Sequence, residues 1–224
     1  MKVTEIHLRH AVLVGALLLL QACGGTGGTA AQSPGAATTM SMAELEALYR
    51  ARQDSVLMRV SEADVRFMTG MIGHHAQALV MSGFASASGA GSQIRILTSR
   101  IINAQTDEIA YMQQWLSERG RPAPEVDGTG HMAQHMQMPG MLSSQQLERL
   151  ENARGVEFDR LFLTYMIQHH EGAVTMVHEL FAIDGAALDD LAFKLASDIQ
   201  VDQITEVARM QSMLDALPAS EPNH

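Results

Sequence analysis

From about residue 42 onward, apolar residues recur at steps of three and four, the period of helices with one buried face. Ser61 with Glu62 and Asp64 predicts a helix start, and the pattern runs on through about Phe84. After the small-residue break SASGAGS, a second helix is predicted from about Ser92 to Arg119, ending at Gly120 ahead of Pro122 and Pro124. Residues 120–142 read as a loop. Ser143 or Ser144 then caps a helical stretch through about Ile183, broken near Gly155, and Leu188 to Leu217 supplies the last helix before Pro218. No stretch alternates convincingly with period two, so the expected class is all-α.

Shifting the chain by 95 residues against itself lays residues 62–81 (EADVRFMTGMIGHHAQALVM) over 157–176 (EFDRLFLTYMIQHHEGAVTM), with ten identities in twenty positions. This is an internal duplication. At the same offset Gln105, Asp107 and Ile109 fall over Gln200, Asp202 and Ile204, so the repeated unit is a helix pair and two pairs predict a four-helix bundle. Phe67, Met71, His74, Ala78 and Met81 recur as Phe162, Met166, His169, Ala173 and Met176. These positions span about 80° of a helix, one inward-facing seam. The adjacent seam carries His75 and His170, so both histidines of each pair are expected to border the core.

Composition sharpens this picture. Aromatics are only 4%, while the chain has 16 methionines and 10 histidines, an abundance of soft and borderline metal ligands. Fifteen basic against 25 acidic residues give a formal charge of −10, which argues against nucleic acid as a partner. Lys2 and Arg9 precede the ten-residue apolar run AVLVGALLLL, a secretory signal too short to span a bilayer. The ending Leu20-Gln21-Ala22-Cys23 resembles a bacterial lipobox, with ordinary signal cleavage as the alternative. The expected organisation is a signal over 1–22 and lipidation at Cys23, which would anchor an exported protein to a membrane facing the periplasm or cell exterior. A Gly/Ala/Thr/Ser tether follows over 23–41, then a helical domain over 42–218 with repeats 62–119 and 157–215 joined by the loop 120–142.

Four imidazoles directed at a small core cost free energy if dry and unpaired, so they imply either a metal site or a polar hydrogen-bond cluster. Carboxylate-bridged di-iron bundles need Glu-x-x-His on their helices, yet no histidine of the helical region has glutamate three residues before it; the one such spacing, Glu221 to His224, falls beyond Pro218 at the end of the sequence. The chain instead has Met71-x-x-His74, Met132-x-x-His135 and Met166-x-x-His169. Thioether with imidazole suits copper, Cu(I) in particular, and zinc through imidazole alone is the alternative. The candidate ligands are Met71, His74, His75, Met81, Met166, His169, His170 and Met176. The loop adds His131, Met132, His135, Met136, Met138 and Met141, which read equally as mobile copper ligands or as a linker tucked against the bundle. Met112 and His178 are further candidates. Met112 falls opposite Val207, with Met210 three residues on, so the halves are expected to differ. Gln105 and Gln200 are candidates to orient a histidine by hydrogen bonding, or else polar packing groups.

The duplicated Phe-x-x-x-Met-Ile-x-His-His-x-x-Ala-x-x-Met, the intervening HMAQHMQMPGMLS and the Gln-x-Asp-x-Ile helix resemble the bacterial domain-of-unknown-function family numbered 305, over about residues 60–215. The resemblance implies an exported, ferritin-like helical bundle, with copper binding and copper tolerance in some members. The second copy departs from the first at Glu171 and Gly172, where the first has Ala76 and Gln77. Three functions remain open: a copper-binding protein for sequestration or delivery, a metal-dependent oxidoreductase, and a structural module with a histidine cluster. Hydrolase and zincin chemistry lack their motifs, since neither Gly-x-Ser-x-Gly nor His-Glu-x-x-His occurs.

Overall fold

A computed structural model describes residues 40–57, 59–126 and 138–218. The expected signal, Cys23 and nearly all of the tether lie outside these residues, as do His131, Met132, His135 and Met136. The described chain is all-α: α1 (Met42–Leu57), α2 (Glu62–Gly83), α3 (Ser92–Glu118), α4 (Ser144–Asn152), α5 (Gly155–Phe181) and α6 (Asp190–Asp215). None of these helices is long and apolar enough to cross a membrane.

Local chemistry explains the helix starts. The Ser61 hydroxyl accepts from the Asp64 amide at 3.1 Å while the Asp64 carboxylate accepts from the Ser61 amide at 2.8 Å, a reciprocal cap that satisfies two otherwise orphaned donors. Ser143 and Gln146 repeat this arrangement at α4. Asp189 caps α6 by accepting from the amides of Leu191 and Ala192.

Helix α2 packs on α3 and α5 packs on α6, and the two pairs meet along α2 and α5. Equivalent aspartates latch the pairs together. Asp64 of α2 accepts from the Ala187 amide at 2.6 Å in the α5–α6 connection, and Asp159 of α5 accepts from the Gly91 amide at 3.1 Å in the α2–α3 connection.

The apolar core falls into two clusters. One contains Met71, Ile109, Met112, Met176 and Ile199; the other contains Met81, Ile101, Phe162, Met166 and Met210. Along each of the four long helices, the crossing from one cluster to the other is marked by buried polar residues. These are His74 and His75 on α2, Gln105 on α3, His169 and His170 on α5, and Gln203 on α6. A polar layer thus divides the core at its middle.

The register of the duplication differs from the constant 95-residue offset. Helix α3 starts at Ser92 and α6 at Asp190, a difference of 98, because α5 runs three residues further than α2 before an eight-residue connection of equal length. The partner of Gln105 is therefore Gln203, not Gln200, and the partner of Met112 is Met210, not Val207. Both methionines are completely buried, so the halves are more alike here than the sequence comparison predicts.

Next to the α6 cap, Asp189 accepts from Trp115 Nε1 at 2.9 Å and from Arg119 at 2.8 Å, and the guanidinium lies 4.3 Å from the Trp115 ring centre. Both charged side chains are only 4% exposed. Asp189→Ala is expected to lower stability by about 3 kcal/mol, because it strands a buried guanidinium and uncaps a helix. Urea unfolding of the variant checks this value.

Candidate metal centre

Every histidine of the two His-His pairs is completely buried. His74 and His169 face each other across the α2–α5 contact with ring centres 3.9 Å apart and planes inclined at 40°. His75 stands 6.4 Å from His74, and His170 stands 6.2 Å from His169, so the four rings keep the symmetry of the duplication.

The outer histidines are each held by a carboxylate from the second helix of the pair. His75 Nε2 lies 2.7 Å from Glu108 Oε2, and His170 Nε2 lies 2.7 Å from Glu206 Oε2. Glu108 and Glu206 follow Gln105 and Gln203 by three residues, so each second helix presents Gln-x-x-Glu to its histidine pair. Sequence reasoning missed both glutamates. The readable signal was Gln-x-x-Glu repeated at an offset of 98.

Donor bookkeeping then fixes which nitrogens are free. His74 Nε2 donates to the Pro139 carbonyl at 3.0 Å, which leaves the lone pair of the neutral ring on Nδ1. A neutral His75 or His170 donating Nε2–H to its glutamate likewise keeps its lone pair on Nδ1. Among the described residues none of these three Nδ1 atoms has a hydrogen-bond partner, and neither ring nitrogen of His169 meets one of good geometry. Burial, reinforced by the neighbouring His75, lowers the pKa of His74 to about 3. Burial, reinforced by His74, holds His169 well below the usual imidazole range. Both rings are neutral at pH 7, with electron pairs available to a Lewis acid.

Residues 138–142 cross this layer as a strap. On α2, the Gln77 side chain grips the strap through both backbone groups of Leu142, donating to its carbonyl at 3.0 Å and accepting from its amide at 2.8 Å. On α5, Gly172 occupies the position equivalent to Gln77, and a side chain there would put its Cβ 2.1 Å from the Pro139 carbonyl oxygen. Gly140, at φ +76°, completes this backbone-to-backbone approach. The departure of the second copy at Gly172 is thus the footprint of the strap.

The remaining candidates are distributed unevenly. Met71 and Met112 are completely buried in one apolar cluster and Met81 and Met166 in the other. Met176 is 8% exposed and Met138 packs against the first cluster. Met141 is half-buried in the strap. His178 is exposed near the end of α5, about 12 Å along the helix from His170, and bonds to Gln200 at 2.7 Å. That pairing places both residues apart from the central layer. No three His, Cys, Asp or Glu side chains among the described residues stand in a coordinating group. As they stand, the imidazoles do not form a tetrahedral zinc site.

Comparison with known proteins agrees with this architecture. A protein of the same family from Streptomyces coelicolor, whose name places it among secreted proteins, is 26% identical with a TM-score of 0.59, covering 72% of this chain and 98% of its own. A DUF305 fragment from Deinococcus radiodurans is 28% identical with a TM-score of 0.60, covering 70% and 99%. CopM in its Cu(I)-bound form is 27% identical with a TM-score of 0.53, covering 68% and 95%. No curated protein sequence is significantly similar. Residues 64–214 match the family described as Domain of unknown function (DUF305), and the chain belongs to that family.

Proposed function

We propose that this protein binds copper, as Cu(I), in the buried histidine layer and serves to sequester or deliver it outside the cytoplasm. The observation that carries this reading is the facing pair His74–His169, two neutral, completely buried imidazoles with ring centres 3.9 Å apart, of which His74 Nδ1 and both nitrogens of His169 have no partner of good geometry among the described residues. A hydrogen-bond cluster built for packing would satisfy its own donors and acceptors, since each orphan costs about 1–3 kcal/mol. A bound soft cation accepts those lone pairs and removes that cost. Glu108 and Glu206 orient His75 and His170, and the apolar clusters on either side of the layer hold methionines as a source of thioethers. The copper-bound state of CopM, a structural neighbour, supports the choice of metal. Lipidation at Cys23 would tether the exported domain to a membrane surface, and the neighbour named as secreted is consistent with export.

Anaerobic titration of the purified protein against a Cu(I) chelator, with Cu(II) and Zn(II) in parallel, tests the reading. Cu(I) is expected to bind most tightly. Glu108→Gln and Glu206→Gln are each expected to weaken it by roughly 10- to 100-fold, the usual effect of losing an outer partner of a ligating histidine. A folded protein that takes up none of the three metals would return the histidines to a packing role.

A further inference from the structure

Resting on the copper reading, we propose that Cu(I) enters and leaves through a side port where Gly70 leaves room for the thioethers of Met138 and Met176. A cavity of about 280 Å³ opens between α2, α5 and the strap, with Arg66, Phe67, Gly70, Met138, Met176 and Glu179 in its wall. Pro139, whose carbonyl accepts from His74, also lines it. Gly70 is buried one helical turn before His74 on the same face of α2. The cavity therefore borders the backbone that holds the central histidine.

The contents of the port match a soft cation. A Cβ at residue 70 would lie 3.3 Å from the Met138 sulfur and 3.5 Å from the Met176 terminal methyl, so the two flexible thioether side chains converge over the bare glycine backbone. Their sulfurs can take a weakly solvated Cu(I) and pass it inward to imidazole without returning it to water. The duplication supplies a comparison within the same molecule. The residue equivalent to Gly70 is Tyr165, only 9% exposed and packed in the second cluster. A large ring fills the place that is open in the first half, and the strap sends Met138 to the first half alone. The two halves therefore differ at this position, a bare glycine in one and a buried tyrosine in the other.

Gly70 does not have positive φ, so alanine is compatible with its backbone and with the helix. Gly70→Ala is expected to preserve or raise the melting temperature of the metal-free protein, since alanine is the better helix former. Stopped-flow exchange of Cu(I) with a chelator should slow by roughly tenfold in both directions at unchanged affinity, because a narrowed passage alters the barrier and not the end states. Met138→Leu, on the half-buried strap, removes the sulfur at similar volume and should also slow exchange. Wild-type exchange rates in both folded variants would overturn the port while leaving the central site intact. A wild-type protein that holds no Cu(I) would instead overturn the copper reading itself.

Discussion

His169→Leu is expected to weaken Cu(I) binding by roughly a thousandfold or more while making the metal-free protein more stable, by about 1–2 kcal/mol. The two effects share one origin. His169 is completely buried, and neither of its ring nitrogens meets a hydrogen-bond partner of good geometry among the described residues. Leucine matches its bulk roughly and carries no polar atom to desolvate, so the apolar clusters on either side can close over it. The copper site loses one of its two facing rings, and with it more than the 10- to 100-fold effect of an outer partner. His74→Leu should cost similar affinity with a smaller gain in stability, because it also abandons the Pro139 carbonyl that His74 now satisfies. Chelator competition and urea unfolding measure the two quantities separately. Retained affinity in a more stable His169→Leu protein would move the site elsewhere; lost stability with retained affinity would assign the ring to packing.

The opposition between binding and stability also explains what could be read in the sequence. Helical period alone places Phe67, Met71, His74, Ala78 and Met81 on one seam, and all five are buried as that seam requires. The duplication locates their partners on α5 because α2 and α5 share one register. It misleads on the second helices, where three additional residues at the end of α5 shift every later position. A constant offset pairs Gln105 with Gln200, which faces His178 near the surface, when the polar layer is completed by Gln203. The same shift hides Glu108 and Glu206 as a pair, although a search for Glu-x-x-His could not have found them either. Their carboxylates reach histidines of another helix, a relation with no fixed sequence spacing. The contrast between Gln77 and Gly172 was visible in the sequence, but its cause was not. It depends on residues 138–142 lying across both helices, gripped by one side chain and admitted by the absence of another.

Acid should destabilise the metal-free protein well above the pH at which carboxylates are protonated. His74 has its pKa lowered from 6.5 to about 3, chiefly by burial, and His169 is lowered in the same direction for the same reason. Unfolded histidines titrate near 6.5, so below that pH the unfolded chain binds protons that the folded core refuses. The stability these neutral rings contribute is fully present above pH 6.5. It declines as pH falls, continuing for His74 until its folded pKa near 3 is reached. For His74 the loss approaches about 1.4 kcal/mol per pH unit, or roughly 2–3 kcal/mol between pH 6.5 and 4.5, and His169 adds to it in the same direction. Urea midpoints measured across this window should fall steeply for the wild type and less steeply for His169→Leu, which has one fewer buried ring to protonate. Saturating Cu(I) should hold the midpoint up to a lower pH, because an imidazole that donates its lone pair to a metal is no longer free to take a proton. Equal slopes in wild type and variant would mean that His169 titrates freely in the folded protein, and the buried, neutral imidazole on which the ligand role rests would then be wrong.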